Sequence, residues 1–134
     1  MTYSAIWTAD ALRNAGLTVI EVPGWKTRGT REMGEVKGVL CHHTGSMHKG
    51  GGNYPSKGTI LHGRPGLCGP LAQLGLGRDG TWFTFAAGRC NHAGLGVWKG
   101  VVTGNTNFLG VECENSGMIH GPEAEPWSEA LINS

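Results

Sequence analysis

The chain has 134 residues, a formal net charge of +1 and 16% charged residues, which is room for one α/β-sized domain and too little field to gather nucleic acid or an anionic membrane. Its 24 glycines are scattered among apolar segments without a repeat, so they mark turns and long loops rather than collagen or disorder. No apolar run approaches the roughly 20 residues of a membrane span, and the start Met1-Thr2-Tyr3-Ser4-Ala5-Ile6-Trp7 lacks the basic region and apolar stretch of a signal peptide; synthesis in a cytoplasm, with no membrane insertion, is the expectation.

Thr8, then Ala9 to Ala15, then Gly16 predicts a short helix capped by the Thr8 hydroxyl and stopped by a left-handed glycine. Leu17 to Val22 alternates as a strand that Pro23-Gly24 ends. Lys26 to Glu35 is a polar loop leading to a strand over Val36 to Cys41, and His48 to Tyr54, with three consecutive glycines, is a segment that moves unless a ligand holds it. Ser56 to His62 predicts a helix with Ser56 as its cap, stopped at Gly63-Arg64-Pro65.

Two apolar runs, Leu71 to Leu76 and Thr81 to Ala86, flank Gly77-Arg78-Asp79-Gly80 and predict a hairpin, because Asp-Gly supplies the positive φ angles of a tight turn. Trp82 and Thr84 take one face, Phe83 and Phe85 the other. Leu95 to Asn107 reads as a glycine-rich loop carrying Trp98, and Phe108 to Glu114 as the last strand. Pro126 then opens a helix with Trp127 and Leu131 four residues apart.

The strongest chemical signal is Val39-Leu40-Cys41-His42-His43-Thr44-Gly45, an apolar strand that runs into two histidines. Imidazoles are poor strand-core residues, so a pair where the backbone leaves a sheet points to a site. Alternation puts His42 on the face of Leu40 and Thr44, and His43 on the face of Cys41, so one of the two faces the site. The cysteines Cys41, Cys68, Cys90 and Cys113 form no Cys-x-x-Cys pair and read as reduced thiols; a Cys68–Cys90 disulfide stays open.

Together with Gly77-Arg78-Asp79-Gly80, Asn91-His92-Ala93-Gly94 and Asn107-Phe108-Leu109-Gly110-Val111-Glu112-Cys113-Glu114-Asn115, this stretch resembles the zinc-dependent N-acetylmuramoyl-L-alanine amidases of the type-2 amidase and peptidoglycan-recognition-protein superfamily, most of all the amidase domains of bacteriophage endolysins. The resemblance runs from about Val22 to the last residue. It implies an α/β domain over residues 1–134, with a mixed central β-sheet flanked by helices and a zinc cleft at the strand ends. It implies His42 as a Zn2+ ligand, Glu112 as general base and then acid, and His92 as a substrate contact, with bacterial peptidoglycan as the partner; Trp98, an aromatic in the glycine-rich loop, is a further candidate substrate contact that could stack on a sugar. His92 as an ordinary loop histidine, Trp98 as a plug on the core, and Glu114 as a rival to Glu112 or a solvated strand end all stay open.

The family's second histidine ligand, a lysine and a third ligand, aspartate or cysteine, follow a further helix and have no counterpart before Ser134. The chain is therefore read as the N-terminal portion of the domain, expected to leave a sheet face open to self-association. Three other readings were weighed. A cysteine hydrolase built on Cys41 or Cys113 is disfavoured because both alternate away from His42 and Glu112. A structural zinc knuckle is disfavoured by cysteine spacing. A peptidoglycan-binding module without catalysis is the runner-up.

Overall fold

The computed structural model describes residues 1–47 and 51–134; the predicted glycine-rich stretch beginning at His48 lies partly outside them. A 3-10 turn, Ser4–Ile6, runs directly into helix α1, Trp7–Asn14. The cap position thus falls on Ile6, and the expected cap Thr8 is instead buried, its Oγ1 donating to the Ala5 carbonyl at 2.9 Å. Gly16, at φ 82°, ends the helix as predicted.

Strand β1, Val19–Glu21, is shorter than its apolar pattern, and the expected loop after it includes a 3-10 turn, Trp25–Thr27. Strand β2, Gly38–His43, begins later than predicted and carries both histidines within it. Helix α2, Lys57–His62, leads into a small antiparallel pair, β3 (Gly63–Arg64) and β4 (Leu67–Cys68), where the sequence showed only a stop. Strands β5, Leu74–Leu76, and β6, Trp82–Thr84, form the predicted hairpin, with Gly80 at φ 84° in its turn. The Leu95–Asn107 loop ends in one helical turn, α3 (Gly104–Asn107), before strand β7, Phe108–Cys113. Helix α4, Glu129–Ile132, starts after Trp127 because Ser128 is its cap, accepting from the Leu131 N–H.

The sheet order is β1-β6-β5-β7-β2. β1 runs parallel to β6, β6 antiparallel to β5, and β5, β7 and β2 parallel to one another. The fold is thus the α/β class expected, a mixed five-stranded sheet flanked by helices. One sheet face packs Tyr54, Ile60, Phe83 and Phe85, with the Phe83 and Phe85 rings stacked at 6.0 Å; the other packs Leu74, Leu76 and Val111 against Leu12 and Leu131. β2 is the edge strand, and its outer face is open: Val39 is 53% exposed, and Cys41 and His43 are exposed with it.

All four cysteines are free, so Cys68 and Cys90 form no disulfide. Burial pushes the Cys90 thiol up and holds Cys113 at about 11, leaving both protonated and poor nucleophiles near neutrality. No helix among the described residues is long and apolar enough to cross a membrane.

Gln73, wholly buried, joins the layers: its Oε1 accepts from the Gly110 N–H at 2.7 Å, and its Nε2 donates to the Gly88 carbonyl at 3.1 Å. Gly75, next along, gives the Tyr54 and Phe85 rings the space they occupy, since a Cβ there would stand 2.4 Å from Phe85 Cε2 and 2.7 Å from Tyr54 Cζ. Gly75→Ala is therefore expected to destabilise the fold by about 1–3 kcal/mol through overpacking, read as a lowered urea midpoint; an unchanged midpoint would show that these rings move aside freely.

Candidate active site

His42 and Glu112 come together because β2 and β7 are parallel and in register, with His42 opposite Glu112 and His43 opposite Cys113. Facing residues of paired strands share a sheet side, so His42 lies on the Glu112 side. His43 is exposed on the other, its ring edge-on to Trp127 at 6.4 Å. A cleft of about 280 Å³ opens at these strand ends, lined by His43, Thr44, Ser56, Thr59, Arg64, Asn91, His92 and Glu112 among others. His42 is not part of the lining; it sits half-buried beside His92.

Glu112 is the carboxyl that lines this cleft. Burial first, and then the charge of Glu114, push it up to about 7, while Arg64 pulls the other way. Its Oε2 is buried with no hydrogen-bond partner. A carboxyl that titrates near neutrality and keeps an unsatisfied oxygen is equipped to take and return a proton.

Glu114 has the opposite character. The sequence left open that it is a solvated strand-end residue, but it is wholly buried. Its carboxylate accepts from Thr44 Oγ1 at 2.7 Å, from the Ser56 N–H at 3.1 Å, from Ser56 Oγ at 3.0 Å, and from Ser46 Oγ. The expected cap of α2, Ser56, thus spends its hydroxyl on Glu114 rather than on its own helix. So saturated a carboxylate is a structural tie.

Arg78, which the sequence marked only as a turn residue, extends this tie. Its Nε donates to Glu125 Oε1 at 2.6 Å and its Nη1 to the Gly52 carbonyl at 2.7 Å, while Nη2 reaches Ser46 Oγ at 3.4 Å. Glu125 is itself buried and accepts from the Ser116 N–H at 2.6 Å. Tyr54 was missed as well: its hydroxyl donates to the Glu112 carbonyl at 2.7 Å, and burial pushes that phenol up, so it anchors the backbone as a protonated donor. Nothing in a single sequence distinguishes these hydroxyls and charges from surface ones.

His92 and Trp98 fare differently from each other. His92 lines the cleft and lies over Gly110, where a Cβ would stand 2.5 Å from its ring. Both of its ring nitrogens have protein partners: Nε2 is 3.0 Å from the Phe108 carbonyl and Nδ1 is 3.4 Å from His42 Nε2. Since a carbonyl only accepts, Nε2 carries the proton and Nδ1 turns its lone pair to His42. Burial holds His92 neutral, at about 4, and burial followed by His43 pushes His42 down too. Trp98 is outside the cleft lining, edge-on to Phe108 at 5.7 Å with the Lys99 ammonium 4.7 Å from its ring centre.

A catalytic zinc ion takes three protein donors. His42 and His92 form a pair of neutral imidazoles, but no three His, Cys, Asp or Glu side chains among the described residues converge to hold a metal. His48, another histidine in the sequence, lies outside those residues. The described donors therefore do not by themselves make the family's zinc site.

A mixed sheet with a carboxyl held near neutrality at the ends of its parallel strands has the form of a hydrolase cleft. The N-acetylmuramoyl-L-alanine amidase family model matches residues 32–134, and the chain belongs to that family. The matched region contains His42, His92, Glu112 and the Glu114 tie. A comparison with curated proteins gives no match.

The ion pair of Arg78 and Glu125 is largely buried, with side chains 15% and 5% exposed. Arg78→Ala would take the guanidinium from Glu125 and free the Gly52 carbonyl. An expected loss of about 3 kcal/mol follows from breaking a buried ion pair at one partner, measurable by chemical denaturation; a loss below about 1 kcal/mol would mean that water replaces the guanidinium.

Proposed function

We propose that this amidase hydrolyses the bond between the lactyl group of N-acetylmuramic acid and the L-alanine of the stem peptide, acting on the bacterial cell wall as a bacteriophage endolysin does. The observation that carries the reading is Glu112, a cleft carboxyl held near neutrality with one unsatisfied buried oxygen. Ionised Glu112 takes the proton of a water attacking the amide carbonyl, then delivers it to the departing L-alanine amine. Arg64 and Asn91, on the same cleft wall, present donors to the peptide's carbonyl and carboxylate oxygens. His92, tethered to the Phe108 carbonyl, orients His42. Trp98 is assigned to the packing of its own loop.

Zinc, with His42 as a ligand, belongs to the same proposal, but no chemical step is assigned to it, because the described donors stop at the His42–His92 pair. That shortfall favours one second reading, a muropeptide-binding module without catalysis. Release of stem peptides from purified cell walls decides between them: retention on the walls with no peptide released, even with zinc added, would establish the binding module.

Two outcomes are expected. First, Glu112→Gln abolishes release, by at least about 10²-fold, while wild-type activity rises with pH through about 7 as the carboxyl ionises. The same shift bears on stability. Between the ordinary 4.5 and about 7 the unfolded chain releases this proton while the folded chain keeps it, so stability drains away as pH rises through that window. Glu112→Gln removes the drain and should stabilise the fold at pH 8 by on the order of 1–2 kcal/mol, allowing for solvent screening, with no gain at pH 4. Equal effects at both pH values would mean that Glu112 is not desolvated in the folded state.

Second, His42→Ala should lower zinc uptake far more than His43→Ala, since only His42 shares the Glu112 side of the sheet. Metal content of the dialysed variants measures this, and equal losses would remove His42 from its assigned role.

A further inference from the structure

A second groove, of about 400 Å³, lies beyond the cleft, walled by Arg31, Arg89, Ala93 and Thr106 and edged by Leu95 and Val102. Its two arginines are fixed side by side, because the Arg89 N–H donates to the Arg31 carbonyl at 2.8 Å. Arg89 Nη1 donates to Asn91 Oδ1 at 2.8 Å and to Thr30 Oγ1 at 3.1 Å, and its Nε is buried with no partner. Among the described residues the Arg31 guanidinium reaches only Thr106 Oγ1, at 3.4 Å. Among the described residues no carboxylate lines this groove and neither guanidinium has an ion pair. Two guanidinium groups without a counter-charge beside a pocket call for an anion, and their planar donor sets suit a carboxylate.

The groove continues the cleft. Asn91 and His92 line the cleft and the next residues, Ala93 to Leu95, line the groove. The turn between is rigid, since Asn105 Oδ1 accepts from the His92 N–H at 2.8 Å and the Ala93 N–H at 2.7 Å. Leu95 and Val102, both well exposed, offer apolar contact beside the charges. A ligand here is anionic, carries small apolar groups, and is continuous with whatever occupies the cleft.

From this geometry we propose that Arg31 and Arg89 form a second subsite that holds a free carboxylate of a peptide stem on the polymer whose amide lies at Glu112. The proposal rests on the amidase reading for the identity of the polymer. It makes the groove a recognition element for multi-stem wall, with no part in proton transfer.

The test uses the exposed Arg31, so that folding is not at stake, in the full chain. Arg31→Glu should weaken co-sedimentation with purified cell walls about tenfold, the scale of one charge-assisted contact, with Arg31→Lys intermediate. In hydrolysis, KM on wall fragments bearing several stems should rise by a similar factor, while kcat, and both constants on a single-stem muropeptide, stay as in the wild type. A further arm adds soluble glycerol-phosphate polymer as competitor: displacement of wild type from walls already stripped of phosphate polymer, with Arg31→Glu unaffected, would reassign the groove to phosphate and overturn the stem assignment. Unchanged sedimentation of Arg31→Glu would overturn it outright. Because sedimentation needs no catalysis, failure of the amidase reading would leave it intact and appear instead as absent peptide release by the wild type.

Discussion

The cleft exists because one carboxylate is buried where three segments meet. Glu114 follows β7, and the groups that saturate it come from Thr44 and Ser46, after β2, and from Ser56, at the head of α2. An ionised carboxylate is tolerated in so dry a place only when its oxygens are fully supplied with donors. Those donors must therefore stay where they are, and with them the exit of β2, the start of α2 and the cleft wall between. Arg78 repeats the device one layer out, clamping Ser46 and the Gly52 carbonyl while neutralising buried Glu125.

Two glutamates two positions apart on one strand face illustrate how surroundings assign roles. Glu114 has four donors, and Glu112 has an oxygen with none. The charge of the first adds to the desolvation that keeps the second protonated up to neutrality. The structural tie thus also tunes Glu112, and the two effects cannot be altered separately. Replacing Glu114 would loosen the cleft and lower the proton affinity of Glu112 together.

The features legible in the sequence were those carried by short-range pattern. Asp79-Gly80 announced its turn, the alternation of Phe83 and Phe85 against Trp82 and Thr84 announced a half-core strand, and the run into His42 announced a strand-end site. Parallel pairing of β2 with β7 was not written in either strand, because it joins residues 70 positions apart, such as Gly38 and Phe108. The same long-range dependence hid Glu114, Arg78 and Glu125, whose residue types are ordinarily exposed. The Thr44–Glu114 and Arg78–Glu125 contacts span 70 and 47 residues, beyond any window of periodicity. Thr8 misled for a local reason: the 3-10 turn before it moved the helix start by two residues and turned a cap into a core hydroxyl.

That sequence distance has a consequence for how the molecule comes into being. The Thr44–Glu114 contact closes a loop of 70 residues, and the parallel β2–β7 pairing beside it cannot form as a hairpin. Contacts of this kind are made late, after the entropy of closing the chain has been spent without return. Local units such as α1 and the β5–β6 hairpin can form early, but none of them contains half of the site. Glu112 and the imidazole pair therefore come together only in the last, cooperative stage of folding, and a partly folded or nicked chain has secondary structure without a cleft.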